Sequence, residues 1–203
     1  MARSDRLAGI VPASPGTIRE AARRCRAGEL VVVPTETVYG LAAHPEAPGA
    51  LARLQAAKGR EPTKHLARLA ADADAIRATG IQLEPAALRL AAAFWPGPLT
   101  LVLPDGAGGW EGFRVPDHPV TLAWLRELDV LPVVTSANRS GEPPALTAAE
   151  AWRSLTPHVA LALDAGPAPG GRASTVARVT GDGVEVLREG PISAEELARV
   201  ADG

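Results

Sequence analysis

Two lysines stand close together in a chain that otherwise uses arginine for its positive charge. Of the 21 Lys and Arg residues only Lys58 and Lys64 are lysine, and Arg60 lies between them. A lysine ammonium is a compact point charge that a planar guanidinium does not imitate. Such a cluster suits a polyanion, either a nucleoside triphosphate or a nucleic-acid backbone. The alternative is a solvated helix end, where the helix dipole favours basic side chains.

Hydroxyl and amide side chains follow two apolar runs that predict buried strands. Thr35 and Thr37 follow the run 30–33, and Ser136 and Asn138 follow a second run in the same way. Ligands collect at strand ends in open α/β sheets, so these groups are candidates for a binding site. The alternative for the two threonines is that they cap a turn or a helix.

Three further positions complete the set of candidates. Arg114 lies in an otherwise apolar, strand-like segment, so its side chain must point to solvent or to an anion. Ser174 follows the glycine-rich loop 166–171, and Arg188 ends a predicted hairpin. Cations combined with neutral hydrogen-bonding groups fit a reaction that works by positioning and by electrostatic stabilisation of a phosphate. Adenylation of a carboxylate by ATP is such a reaction, with Mg²⁺ and cations neutralising the departing pyrophosphate.

Several other kinds of chemistry lack their sequence signatures. The chain contains no G-x-x-x-x-G-K-[ST] loop, no G-x-G-x-x-G fingerprint and no G-x-S-x-G elbow. Its four histidines are scattered without metal-ligand spacing, which argues against a zinc site. Cys25 is the single cysteine and lies on a predicted helix face, which favours a small buried apolar residue over a nucleophile. One cysteine also excludes an internal disulfide.

Length and charge limit the class of protein. A chain of 203 residues is long enough for one domain with a sizeable core. Its formal net charge of -2 argues against nucleic-acid binding by bulk electrostatics, although a local basic pocket remains compatible with it. The sequence shows no secretory signal and no apolar run of about 20 residues, so we expect a cytoplasmic protein without a membrane span.

Alternating helix and strand patterns predict an α/β fold. A hairpin turned at 181–183 favours a sheet of mixed strand direction. The predicted strands are 30–33, 66–69, 99–103, 113–116, 131–135, 159–163, 175–179 and 184–188. The predicted helices are one from a Thr17–Glu20 capping box to Gly28, one from Pro48 to the lysine cluster, and others at 72–79, 85–95, 119–128, from Thr147 and from Ser193.

Six ordered motifs together resemble the YrdC-like family, whose members are threonylcarbamoyl-AMP synthases. The motifs are Val33 to Leu41 (VPTETVYGL), Lys58-Gly59-Arg60 with Lys64, Trp95 to Thr100 (WPGPLT), Arg114 to Pro119 (RVPDHP), Thr135 to Asn138 (TSAN) and Ser174 to Val176 (STV). The resemblance runs from about residue 15 to 198. It implies a single domain over residues 1–203, with a twisted open sheet of mixed direction, flanking helices and a concave, positively charged pocket.

The resemblance also implies a reaction. It is the synthesis of L-threonylcarbamoyl-AMP and pyrophosphate from L-threonine, bicarbonate or CO₂, and ATP with its Mg²⁺. The product feeds a tRNA threonylcarbamoyl-transfer machinery that modifies adenosine, and the enzyme itself would have at most a weak tRNA contact.

The site residues that the resemblance implies fall into two groups. Catalysis and ATP binding are assigned to Lys58 and Arg60, with Lys64, Ser136, Asn138 and Arg188 as further ATP contacts. The threonine-binding set is Thr35, Arg114 and Ser174.

Two departures from the family pattern and two alternative functions stand beside this reading. The segment Arg60-Glu61-Pro62 replaces the usual Arg-Pro, and His65 follows Lys64, so the path of this loop is open. The chain ends at residue 203, without the linker and extra C-terminal domain of the longer family type, so we expect any gating by that domain to be absent or supplied by another protein.

The alternative functions are a carbamoyl-adenylate-forming domain of the hydrogenase-maturation kind, and an RNA-binding module without catalysis.

Overall fold

A computed structural model describes residues 9–59, 66–181 and 183–203, which form a ten-stranded sheet with seven helices packed against it. The strands are β1 (Ile10–Pro12), β2 (Leu30–Val33), β3 (Gly40–Ala43), β4 (Ala67–Leu69), β5 (Leu99–Pro104), β6 (Trp110–Arg114), β7 (Val133–Ser136), β8 (Val159–Asp164), β9 (Thr175–Thr180) and β10 (Gly183–Arg188). The helices are α1 (Pro15–Arg26), α2 (Ala50–Lys58), α3 (Ala73–Arg77), α4 (Pro85–Phe94), α5 (Pro119–Arg126), α6 (Ala148–Leu155) and α7 (Ala194–Asp202).

The sheet is of mixed direction, as the sequence predicts. Its strand order is β1-β8-β2-β3-β7-β4-β6-β5-β9-β10. β3 is antiparallel to both β2 and β7, so β2 and β7 run in the same direction and end at the same edge. The hairpin of β9 and β10 is confirmed and forms one end of the sheet. Among the described residues, no helix is long and apolar enough to cross a membrane.

Buried strands alternate their side chains between two helical layers. In β2, Leu30 and Val32 pack with α2 and α6, whereas Val31 and Val33 pack with α1 and α5. This burial on both faces explains the continuous β-branched run. In β5 the leucines at 99, 101 and 103 pack with α4 and α7. The side chains of Thr100 and Val102 therefore point to the opposite face, where both line a cavity.

The structure corrects the predicted start of the first helix. Ser14, not Thr17, is the N-cap of α1, and the capping box joins Ser14 to Thr17. Glu20 instead forms ion pairs with Arg23 and Arg24 on the helix surface. The Pro15 that follows Ser14 suits the first position of a helix, because its missing N–H would have no partner there.

Other predicted helix boundaries shift by a few residues. α2 begins at Ala50 rather than Pro48, because Gly49 takes a φ of 73° that helical residues do not adopt. The same helix ends at Lys58 before Gly59, also at φ 73°, which confirms the expected helix end. The predicted capping box of Thr147 is confirmed at α6. Two short strands, β1 and β3, were not predicted.

Cys25 is fully buried on α1 among apolar side chains, as predicted. Burial raises the pKa of its thiol to about 12, so the thiolate that reacts with electrophiles is scarce at neutral pH. We expect a thiol reagent such as DTNB to leave the native protein unmodified and to label one thiol after unfolding in guanidinium. Rapid labelling of the native protein would contradict this assignment.

Candidate functional site

An open cavity is lined by strands in the middle of the sheet and by the loops next to them, and no helical residue of the described chain lines it. Its enclosed volume is about 120 Å³, and the space reaches about 740 Å³ when its solvent-filled mouth is included. Its floor crosses the middle of the sheet, where the small residues Ala67 and Gly112 pair directly. The polar groups at its wall are Thr35, Thr100, Arg114, Thr135, Ser136, Ser174 and Arg188.

The loop after β2 brings Thr35 to the cavity. The Thr35 hydroxyl donates to the carbonyl of Val38 at 2.6 Å and accepts from the amides of Thr37 and Val38, both at 3.2 Å. Helix α5 supports this loop, because the hydroxyl of Thr121 donates to the carbonyl of Pro34. Thr35 therefore closes a turn, as the alternative predicts, and its side chain also lines the cavity, whereas its part in ligand binding stays a prediction.

Arg114, at the end of β6, is buried at the cavity wall. Its Nη2 donates to Oε1 of Glu36 at 2.6 Å and to the hydroxyl of Thr37 at 2.9 Å. Its Nε donates to the carbonyl of Gly97 at 3.1 Å. The sequence predicts that this side chain points to solvent or to an anion, and the anion in this structure is the carboxylate of Glu36.

Ser174 and Arg188 lie together on the next wall. Arg188 donates to the carbonyl of Ser174 from Nε at 3.1 Å and from Nη2 at 2.7 Å, and its Nη2 also reaches the Ser174 hydroxyl at 3.1 Å. That hydroxyl lies 2.9 Å from the hydroxyl of Thr100. Burial, followed by repulsion from Arg114, lowers the pKa of the Arg188 guanidinium below its ordinary value. The cavity therefore concentrates positive charge.

Close backbone packing fixes the position of Ser174. A Cβ built on Gly190 would lie 2.2 Å from the amide nitrogen of Thr175 and 2.5 Å from the carbonyl carbon of Ser174. Only glycine allows the end of the β9–β10 hairpin to approach the backbone this closely. The hairpin thus holds both partners of the Ser174 and Arg188 contact.

Lys58 reaches the cavity from the end of α2. Its ammonium donates to the carbonyl of Ser136 at 2.6 Å and also to the carbonyl of Asn138. Ser136 lines the cavity, so Lys58 lies immediately beside it. The backbone amide of Ser140 donates to the carbonyl of Lys58 at 3.0 Å, which joins the helix end to the loop after β7.

Asn138 differs from the other candidates because it borders a separate groove beside the loop 139–146. Its Nδ2 donates to the carbonyls of Arg139 at 2.8 Å and Glu142 at 2.7 Å. Its Oδ1 is buried and has no hydrogen-bond partner within the described part of the chain. The side chain therefore shapes this loop and leaves one acceptor unused.

The two remaining cations of the predicted cluster, Arg60 and Lys64, lie outside the residues that the structure describes. The structure does bring together Thr35, Arg114, Ser136, Ser174 and Arg188 around one cavity, with Lys58 next to it. The glycine-rich loop 105–109 does not line this cavity, whereas Ala173, after the second glycine-rich loop, does.

Sequence reasoning assigned no role to three residues at the site. Thr100 shares its hydroxyl contact with Ser174, and Glu36 pairs with Arg114. The hydroxyl of Tyr39 donates to the carbonyl of Gly166 at 2.6 Å, which ties the second glycine-rich loop to the cavity wall. The sequence does show Glu36 as a lone carboxylate after a buried strand. Nothing local indicates its partner Arg114, which lies 78 positions away.

Within residues 9–59, 66–181 and 183–203, no three His, Cys, Asp or Glu side chains are grouped as a metal site would require. Among the described residues, the charged side chains that line the cavity are Arg114 and Arg188, and Lys58 and Glu36 lie beside it through their contacts with Ser136 and Arg114. Such a set can bind and orient anionic groups and can neutralise charge that develops on them.

Comparison with known proteins identifies the class to which this chain belongs. The Sua5/YciO/YrdC family model, described as telomere recombination, matches residues 23–190. The chain belongs to this family.

Two curated relatives carry the name threonylcarbamoyl-AMP synthase. The Bacillus subtilis protein is 36% identical over 193 residues, which cover 90% of this chain and 56% of that protein. The Chromohalobacter salexigens protein is 36% identical over 168 residues, which cover 78% of this chain and 90% of that protein.

A solved structure of Pyrococcus abyssi Sua5 complexed with L-threonine shares the fold. Its TM-score is 0.86 at 32% sequence identity, and the match covers 94% of this chain. This chain spans 60% of the length of the Pyrococcus chain and 56% of the Bacillus protein. The expected YrdC-like fold, an open mixed sheet with flanking helices, is confirmed.

His118 provides a pH-dependent test of the structure next to the site. Burial lowers the pKa of its imidazole below the ordinary 6.5, while the charges of Glu36 and Asp117 act in the opposite direction. The unfolded chain therefore binds a proton at this residue more readily than the folded chain does, and the residue lowers the free energy of unfolding as the pH falls below about 6.5.

We expect the stability advantage of the wild type over a His118→Gln variant to shrink between about pH 7.5 and pH 5.5. Chemical denaturation at several pH values measures this difference. A difference that stays constant, or that grows in acid, would contradict the burial of a neutral imidazole.

Proposed function

We propose that this chain is an L-threonylcarbamoyladenylate synthase, a nucleotidyltransferase. In this reaction L-threonine and bicarbonate or CO₂ form a carbamate, and an oxygen of the carbamate attacks the α-phosphorus of ATP. The bond from that phosphorus to the pyrophosphate breaks, and pyrophosphate leaves. The observation that carries the proposal is one cavity lined by Thr35, Arg114 and Ser174 together with Ser136 and Arg188, in a chain 36% identical to named threonylcarbamoyl-AMP synthases.

The amino acid would bind on the side of the cavity that holds Arg114. The Nη1 of this guanidinium has no hydrogen-bond partner among the described residues, whereas its Nε and Nη2 are held. A carboxylate or carbamate is the natural partner for a guanidinium with a nitrogen to spare. The hydroxyl of Ser174 lines the same cavity and can bond the polar side chain of threonine, and Thr35, whose hydroxyl is engaged in its own turn, lines the wall that the substrate would contact.

The nucleotide would bind on the side of Ser136 and Lys58. The Lys58 ammonium lies 2.6 Å from the Ser136 carbonyl, at the edge of the cavity. A lysine at this place can neutralise the phosphates of ATP. We propose that Arg60 and Lys64 act with it. Asn138 and Arg188 would be further contacts of ATP. Mg²⁺ would enter with ATP as part of the substrate.

No protein nucleophile is needed for this chemistry. The cavity would hold a nucleotide and a carbamate side by side, so that a bimolecular step becomes an intramolecular one. Fixed cations then stabilise the negative charge that moves onto the pyrophosphate. The product would pass to a tRNA threonylcarbamoyl-transfer machinery.

The assignment predicts a specific substrate requirement. Purified protein with Mg²⁺ and ATP should release pyrophosphate only when L-threonine and bicarbonate are both supplied, because the attacking carbamate needs both. A coupled pyrophosphate assay with each component omitted in turn measures this requirement. Release that is indifferent to threonine, or tRNA binding tighter than ATP binding without any release, would remove the assignment.

Lys58 is the described lysine that the proposal assigns to the phosphates of ATP. We expect Lys58→Ala to lower kcat by about 10²- to 10³-fold, as the loss of one preorganised charge contact does elsewhere. Arg19→Ala, which removes an exposed cation from α1, is the matched control and should retain wild-type turnover. Thermal melts establish that both variants are folded. A folded Lys58→Ala enzyme with nearly normal kcat would reduce Lys58 to the solvated end of a helix.

A further inference from the structure

The ion pair between Arg114 and Glu36 is largely buried. The side chains are 8% and 17% exposed, and the bond from Nη2 to Oε1 is 2.6 Å long. A buried guanidinium requires a compensating charge, because water no longer screens it. The bond to Glu36 therefore fixes the direction in which Nη2 of Arg114 points.

Two further contacts fix the plane of the guanidinium. Nη2 also donates to Thr37 at 2.9 Å, and Nε donates to the carbonyl of Gly97 at 3.1 Å. Since a guanidinium is planar and rigid, partners on two of its three nitrogens determine where the third points. Nη1 of Arg114 is the nitrogen that remains for a ligand.

The second glycine-rich loop holds the backbone of Glu36 in place. The amide of Gly170 donates to the backbone carbonyl of Glu36 at 2.9 Å, and a Cβ on Gly170 would lie 2.6 Å from that carbonyl oxygen. The second carboxylate oxygen, Oε2, is buried and accepts no hydrogen bond from any residue that the structure describes. The hydrogen bonding of this carboxylate is thus directed to Arg114.

We propose that Glu36 is a positioning residue, which orients Arg114 so that Nη1 meets the carboxylate or carbamate of the amino-acid substrate. The inference rests on the proposed function and adds a residue to it. Glu36 acts through Arg114 rather than by touching the substrate. Its negative charge by itself disfavours an anionic ligand, so the orientation it imposes must outweigh the repulsion that it adds.

Two variants separate orientation from charge. Glu36→Gln keeps the size of the side chain and removes its charge, whereas Glu36→Asp keeps the charge but shortens the side chain, so that it no longer reaches Nη2. If orientation is the role, both variants should raise the KM for threonine about tenfold, as expected for a weakened charge-assisted hydrogen bond. The KM for ATP and the kcat at saturating threonine should change less than about twofold.

The matched control is Glu46→Gln, the same chemical change at an exposed position. Thermal melts identify any variant that fails to fold, and Glu36→Asp then carries the test in place of Glu36→Gln. The inference is overturned if the KM for threonine is unchanged or lower in Glu36→Gln, if Glu36→Asp behaves as wild type, or if both KM values and kcat change together. A wild-type enzyme without threonine-dependent pyrophosphate release refutes the proposed function instead, so the two failures are distinct.

Discussion

The buried contact between Arg114 and Glu36 joins parts of the chain that are far apart in sequence. It links the end of β6 to the loop after β2, across 78 positions. Through Gly97 and Gly170 the same contact reaches the segment before β5 and the second glycine-rich loop. One charge pair therefore sets the relative position of four segments around the cavity.

The contact between Arg114 and Glu36 explains how the cavity can be open to solvent and still keep a fixed shape. Its floor is the sheet itself, where Ala67 and Gly112 leave room that larger side chains would fill. Its walls are loops, which would move without fixed contacts. The hydrogen bonds of Thr35, Tyr39 and Ser174 provide those contacts: the first closes a turn within its loop, and the other two join a loop to a neighbouring segment. Rigid walls are what a reaction that depends on positioning requires.

Local signals predicted most of the fold. Capping residues, prolines and β-branched runs locate seven helices and most strands among the described residues, because these signals act within a few positions. β3 escaped prediction because Gly40, Leu41 and two alanines are poor strand formers, and pairing on both sides with β2 and β7 holds them. β1 is three residues long and depends on parallel pairing with the distant β8. The order of the strands was not readable from the sequence.

The same kind of local signal predicted several residues of the candidate site. Thr35 and Ser136 follow from the argument about strand ends, because β2 and β7 end at one edge. Arg114 followed from a charge in an apolar segment, but its partner Glu36 did not, since no local pattern couples residues so far apart. The contact of Thr100 with Ser174 depends on the pairing of β5 with β9 and was hidden for the same reason.

The position of the Lys58 ammonium has a consequence for ligand affinity. In this structure it satisfies the carbonyl oxygens of Ser136 and Asn138. If a phosphate takes one of these N–H groups, the carbonyl oxygen that loses it needs a new donor from solvent or from the ligand. That exchange offsets part of the attraction between the ammonium and a bound phosphate.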